Sequence, residues 1–152
     1  MIDETDRRIL VRLQRDATTP YAELAAAVGL SAASVHARVR RLRESGVIRR
    51  TTVEVDPAAV GRGVLAFVTV TGDVWMGDPD TVEAFAGIAG IEEAHIVAGT
   101  ASVLVKVRAA TTEGLQSVLR EIFHVPGVTG TQTTVVLETG FSRPVTPEVP
   151  SP

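Results

Sequence analysis

Residues 19–48, TPYAELAAAVGLSAASVHARVRRLRESGVI, spell two short helices joined by a tight turn, and the second is rich in arginine. Thr19 is placed to cap a helix whose first position, Pro20, has no N–H to leave unpaired. Leu24, Ala25 and Val28 then make one apolar stripe. Gly29 follows where a helix end often needs positive φ, and Ser31 is placed to cap the next helix. Val35, Val39 and Leu42, at i, i+4 and i+7, give that helix a narrow buried seam before Ser45-Gly46 stops it. Helix, short Gly-containing turn, helix is the helix-turn-helix order, whose second helix enters the DNA major groove.

With that seam inward, a projection at 100° per residue turns Ala33, Ser34, Ala37, Arg40 and Arg41 outward, leaving His36 and Arg38 on the flanks. Small residues near the N-terminus, Ser31 among them, let the backbone approach DNA, and alanine methyls can touch thymine methyls. Arginines further along reach guanine edges or phosphates. A charged helix face is more often simply solvated, but here the charge distribution favours DNA. Residues 1–50 carry ten arginines against six acids, whereas residues 51–152 carry five basic residues against twelve acids. Positive charge confined to one module is the footprint of local nucleic-acid binding, and the acidic remainder repels phosphate.

Ahead of these helices, Asp3 to Asp16 reads as another, with Asp3 and Asp6 favouring its N-terminus and Ile9, Leu10 and Leu13 inward. Val47–Val55 alternates like a strand or short hairpin, which predicts a winged helix-turn-helix over residues 1–55 with Arg49 and Arg50 on phosphates. Residues 56–63, with Asp56-Pro57 and Gly61-Arg62-Gly63, read as a linker. Over residues 64–139 the rhythm becomes β-α-β-β-α-β. Strands are predicted at Val64–Thr71, Ala94–Val97, Val103–Val107 and Thr131–Leu137. One helix starts at Asp78-Pro79 with Val82, Phe85 and Ala86 inward, and another is capped by Thr112 with Leu115, Val118, Leu119 and Ile122 inward. The fold class is therefore α+β, a winged helix-turn-helix followed by a ferredoxin-like domain. Both faces of Val64–Thr71 are weakly polar, so the sheet is expected to be covered on both sides and the chain to dimerise. Residues 140–152, rich in proline, read as a mobile tail.

Absent cysteine excludes disulfides and thiol catalysis, and His36, His95 and His124 lack metal spacing, with His95 and His124 read as structural. Gly61–Ala66 fits GxGxxA but precedes a strand, so it cannot place a phosphate at a helix N-terminus. Serine without an adjacent base gives no nucleophile. The acidic, amphipathic N-terminus is unlike a secretion signal, and no apolar run approaches a membrane span. A cytoplasmic protein with no cofactor, no metal and no catalytic residues is expected.

The two halves in this order resemble the Lrp/AsnC, or feast/famine, family of transcription regulators. The resemblance rests on Asp6-x-x-Ile9-Leu10, Tyr21-Ala22-Glu23-Leu24-Ala25, Val28-Gly29-Leu30-Ser31 and Val35-x-x-Arg38-Val39-x-x-Leu42, continuing through Gly46-Val47-Ile48 to Val125-Pro126-Gly127-Val128. It covers about residues 2–139 and implies double-stranded DNA as partner, amino-acid effectors, and dimers that assemble into tetramers or octamers. The chain departs from the family at Thr18, where an arginine is usual, and at Gly99-Thr100-Ala101-Ser102, where the family's turn reads Gly-x-x-Asp. Gly99, Thr100, Ala101 and Ser102 are the candidate effector residues. Without the carboxylate they suit a ligand that accepts hydrogen bonds, either an amino acid or a related carboxylate. Two alternatives stand beside this reading. One is an architectural DNA-binding protein without effector; the other is an enzyme using His95 or His124, because the siroheme decarboxylases resemble this family in architecture.

Overall fold

In the computed structural model, which describes residues 2–147, the chain divides into two compact units. One comprises the chain up to Val53 together with the segment from Ser142; the other is Glu54–Phe141.

The first unit is three helices, α1 (Glu4–Arg15), α2 (Tyr21–Val28) and α3 (Ala32–Glu44). Asp3 caps α1 through a capping box: its carboxylate accepts from the Asp6 N–H at 2.7 Å, while the Asp3 N–H donates to Asp6 at 3.2 Å. The cap of α2 is Pro20 rather than Thr19. Pro20 has extended backbone and its carbonyl accepts from Glu23 and Leu24, while the Thr19 hydroxyl donates to Asp16 O at the end of α1. Gly29 closes α2 at φ 72°, and Ser31 caps α3 by accepting from the Ser34 N–H at 3.2 Å. Ile9, Leu24, Ala25, Val28, Val35 and Val39 form one buried cluster among the three helices, with Leu13, Tyr21 and Ile48 packed partly against it.

The predicted wing is absent: residues 47–55 form no strand. A hairpin needs a turn that tolerates positive φ, and Arg49-Arg50-Thr51-Thr52 supplies no Gly, Asn or Asp. The linker is a coiled turn, with Val60 donating to Asp56 O and Arg62 to Pro57 O. Nor is all of the proline-rich segment a free tail. Along α1, Arg7 donates to Pro147 O at 2.6 Å and Gln14 to Val145 O at 2.9 Å, and Val11 and Arg15 line a shallow groove with Pro144 and Thr146. Residues 148–152 of the expected tail lie outside the described residues.

The second unit runs β1 (Val64–Gly72), α4 (Pro79–Ala86), β2 (Ile91–Ile96), β3 (Val103–Ala109), α5 (Thr112–Phe123) and β4 (Val128–Val135). Its strands lie in the order β2-β3-β1-β4, all neighbours antiparallel, as a ferredoxin-like βαββαβ unit requires. Ala66, Val68 and Val70 of β1 and Val103, Val105 and Val107 of β3 are fully buried against Phe85, Leu115, Val118 and Ile122. Thr111, one residue before the expected Thr112, caps α5. The inward side of α4 is Phe85 with Ala84, while Val82 and Ala86 stay exposed. Only eight residues long, α4 is oriented by the sheet rather than by its own weak stripe. Gly127 in the Val-Pro-Gly-Val turn has φ 85°, and a Cβ there would run into a Val74 methyl.

The other face of the sheet carries no helix and is open in the single chain, the face for which the sequence expects cover from a second copy. Phe67, Thr69 and Thr71 of β1 share it with Leu104 and Lys106 of β3 by register. Phe67 is 37% exposed where Val68, its neighbour in sequence, is fully buried.

Candidate DNA interface and effector turn

The outward side of α3 forms as the spacing predicts. Val35, Val39 and Leu42 are buried; Ser31, Ala33, Ser34, His36, Ala37, Arg40 and Arg41 are exposed. The His36 ring meets Tyr21 of α2 edge-on, centroids 5.3 Å apart, so its position on the flank is set by packing. Arg40 lies 3.6 Å from Glu44 in a solvent-exposed i,i+4 pair, a contact weak enough for a phosphate or base to displace.

Arg38 and Arg41 sit differently from what a solvated face would give. Arg38 Nη1 donates to Asp3 at 2.6 Å and to Asp6 at 2.8 Å, and Arg41 Nη2 donates to both Asp6 oxygens at 2.9 and 3.2 Å. Asp6 is 1% exposed. Arg38 is half-buried and turned to α1, so it holds two helices together and is not a free contact for DNA. The Arg38 hydrogen bond holds the Asp3 carboxyl below its ordinary range, and the Asp3 and Asp6 carboxylates raise the Arg38 guanidinium above its own. The spacing of α3 alone could not show this, because the acids lie about thirty residues upstream in another helix. The available signal was a second acid, Asp6, on the side of α1 that also carries Ile9 and Leu10.

Arg49 and Arg50 are exposed in the irregular stretch after α3, anchored by Ile48, whose N–H donates to Leu42 O at 2.9 Å.

In the second unit, Gly99–Ser102 joins β2 to β3 as expected, and Gly99 takes φ 134°. Gly99 and Thr100 are exposed and Ala101 and Ser102 half-buried. One of the turn's amides is already paired within the sheet. Ser102 N–H donates to Val70 O at 2.8 Å, and Ser102 O accepts from Val97 at 3.0 Å. The Thr100 and Ser102 hydroxyls make no hydrogen bond among the described residues.

On the open sheet face, Lys106 bridges Glu92 at 3.2 Å and Glu93 at 2.8 Å, Arg108 Nε lies 3.2 Å from Glu92, and His95 is 3.1 Å from Glu93. A register shift between Ile91 and Glu93 accompanies these paired acids. Lys106 holds the Glu93 carboxyl below its ordinary range. Sequence reasoning missed this network and took His95 as structural; it is exposed on the edge strand. His124 fits the structural reading, its ring Nδ1 lying 2.6 Å from Arg120 O. Among the described residues no three His, Cys, Asp or Glu side chains converge as metal ligands, and no helix is long and apolar enough to cross a membrane.

A trihelical unit with an arginine-bearing second helix of a helix-turn-helix, joined to a βαββαβ unit, defines a two-module DNA-binding regulator. Residues 2–43 match the AsnC-type helix-turn-helix domain, and residues 63–146 match the Lrp/AsnC ligand-binding domain. The chain belongs to the Lrp/AsnC family of transcriptional regulators. It is 38% identical over 139 residues to the HTH-type transcriptional regulator FL11 of Pyrococcus abyssi, covering 91% of each chain. It is 30% identical over 148 residues to the Escherichia coli regulatory protein AsnC, covering 97% of each. The solved structure of E. coli AsnC superposes with TM-score 0.89 at 29% identity, covering 96% of this chain and 99% of that one. A feast or famine regulatory protein from Mycobacterium tuberculosis, solved in complex with L-methionine, superposes with TM-score 0.85 at 32% identity, covering 93% and 96%. This chain is accordingly a DNA-binding transcriptional regulator carrying a ligand-binding domain, and not an enzyme.

Proposed function

We propose that the outward side of α3 reads duplex DNA, with Ser31, Ala33, Ser34 and Ala37 against the groove and Arg40 and Arg41 on base edges or phosphates. Arg49 and Arg50 contact the flanking backbone, and His36 borders the site. The observation that carries this reading is that α3 buries its one apolar seam completely and leaves a face of small residues and arginines exposed. Residues 1–53 are the DNA-binding module and 64–135 the sensing and assembly module, acting in the cytoplasm where the DNA is.

The effector is an amino acid or related carboxylate, received at Gly99–Ser102. The open turn, its glycine and the hydroxyls of Thr100 and Ser102 support a ligand rich in acceptors. The L-methionine complex of the M. tuberculosis relative supports the amino-acid class. A second copy covers the open sheet face, and the resulting two-fold dimer suits paired half-sites spaced by about one helical turn, roughly 34 Å, or a multiple of it.

Selection of binding sites from random duplexes, followed by footprinting of Arg40→Ala, tests the first half. We expect a loss of about 1–3 kcal/mol and relaxed preference at one base position. Unchanged specificity would assign readout to another face. Thermal shift against the twenty amino acids and simple carboxylates, repeated on Gly99→Asp, tests the second half. A stabilising ligand whose effect survives Gly99→Asp would place the pocket elsewhere.

A further inference from the structure

Asp6 is the one buried charged residue among those described, and capping α1 does not require that burial. Its carboxylate accepts from the Asp3 N–H, from Arg38 Nη1 and from Arg41 Nη2. A buried carboxylate is tolerated only with such partners, so both arginines are obligatory to the packing of α1 on α3. They differ in what they leave over. Arg38 has 26% of its side chain exposed and divides its Nη1 between two acids; Arg41 has 59% exposed and is held at Nη2 alone. Arg41 therefore has one corner of its guanidinium fixed to α1 while Nη1 and Nε remain available.

We propose that Asp6 is a positioning residue for DNA recognition: it orders Arg41 before DNA arrives, so that the free donors meet a base edge in one orientation. Arg38 serves as the brace that keeps the carboxylate in place. The rotamer freedom of Arg41 is lost on folding and not on binding, which favours the correctly spaced base. Asp3 and Asp6 also offset two of the cations on α3, which weakens attraction to phosphates of any sequence relative to the specific contact. The proposal rests on the reading of α3 as the base-contacting helix.

The test uses the full chain, an operator obtained by selection from random duplexes, and a scrambled duplex of the same composition. Binding to both is measured over a range of salt. Asp6→Asn keeps the shape and a cap acceptor but removes the charge. Operator affinity should fall while affinity for the scrambled duplex holds or rises, lowering their ratio about tenfold or more, the size of one lost bidentate base contact. Adding Arg41→Ala to Asp6→Asn should lower the ratio little further, because the two act through one contact. A parallel fall in both affinities, with loss of helix by circular dichroism, would mark Asp6 as merely structural. An unchanged ratio, or full additivity with Arg41→Ala, would also overturn the proposal. If Asp6→Asn does not fold, Arg41→Lys decides, since it keeps the charge without the fork. The ratio should again fall, and an unchanged ratio overturns the proposal. Failure of the underlying reading is distinguishable: Arg41→Ala alone would then leave the ratio intact.

Discussion

At the scale of single residues, the arginines of α3 divide by their partners. Arg40 meets only an exposed glutamate, whereas Arg38 is committed to Asp3 and to buried Asp6. Arg38→Ala should therefore act chiefly on stability, lowering it by about 2–3 kcal/mol by leaving a buried carboxylate short of a partner. Hydrogen exchange in α1 and α3 measures this. Unaltered exchange with lost DNA binding would return Arg38 to the contact surface. The same pair sets an acid limit. Asp3 has a depressed carboxyl pKa in the folded chain, so its contribution is present above the ordinary value of 3.8 and is lost as pH falls through the lower folded value. Melting of the first unit should weaken as pH drops below about 4, and Asp3→Asn should flatten that dependence. An equal acid dependence in the variant would assign it to other carboxylates.

At the scale of elements, capping and turn chemistry decide what forms. Ser31 accepts from Ser34 N–H at the start of α3, and Ser31→Ala should cost about 1 kcal/mol, read as faster exchange in the first turn of α3. No change would show that another group closes that end. Where turn residues are missing, periodicity alone fails. Val47–Val55 alternates as a strand should, yet without a residue for the bend and without a partner strand it stays irregular. β2 and β4 each begin three residues before their predicted starts, at Ile91 and Val128, because ladder pairing with β3 and β1 extends them.

At the scale of the whole molecule, the sheet's two faces have different owners. Val68 is fully buried beneath the helices, whereas Phe67, next in sequence, lies on the open face. Val68→Asp should unfold the second unit. Phe67→Asp should keep the helical signal but shift sedimentation velocity toward the monomer, since it places a charge on the face proposed to be covered by a second copy. A parent that sediments as a monomer at micromolar concentration, or a Phe67→Asp variant still assembled as the parent is, would remove that face from the interface.

How much of this was legible in advance follows the range of the interactions. Helix seams such as Val35-Val39-Leu42, the Ser31 cap, the acidic start of α1, the Gly29 stop and the β-α-β-β-α-β rhythm are local, recurring within a turn or a strand, so the amino-acid order alone determined them. With them came the two-module organisation, the family and the outward face of α3. The partners of Arg38 and Arg41, the network of Glu92, Glu93, His95, Lys106 and Arg108, and the Ser102 hydrogen bond to Val70 were decided only by tertiary structure. So was the seating of Val145 and Pro147 along α1. Apart from His95 with Glu93, these join groups more than a dozen residues apart in the chain, and a charge or a carbonyl carries no period by which its distant partner could be read. Packing alone brings them within hydrogen-bond reach, and that decides which arginines of α3 are tied to α1 and which meet only solvent and Glu44.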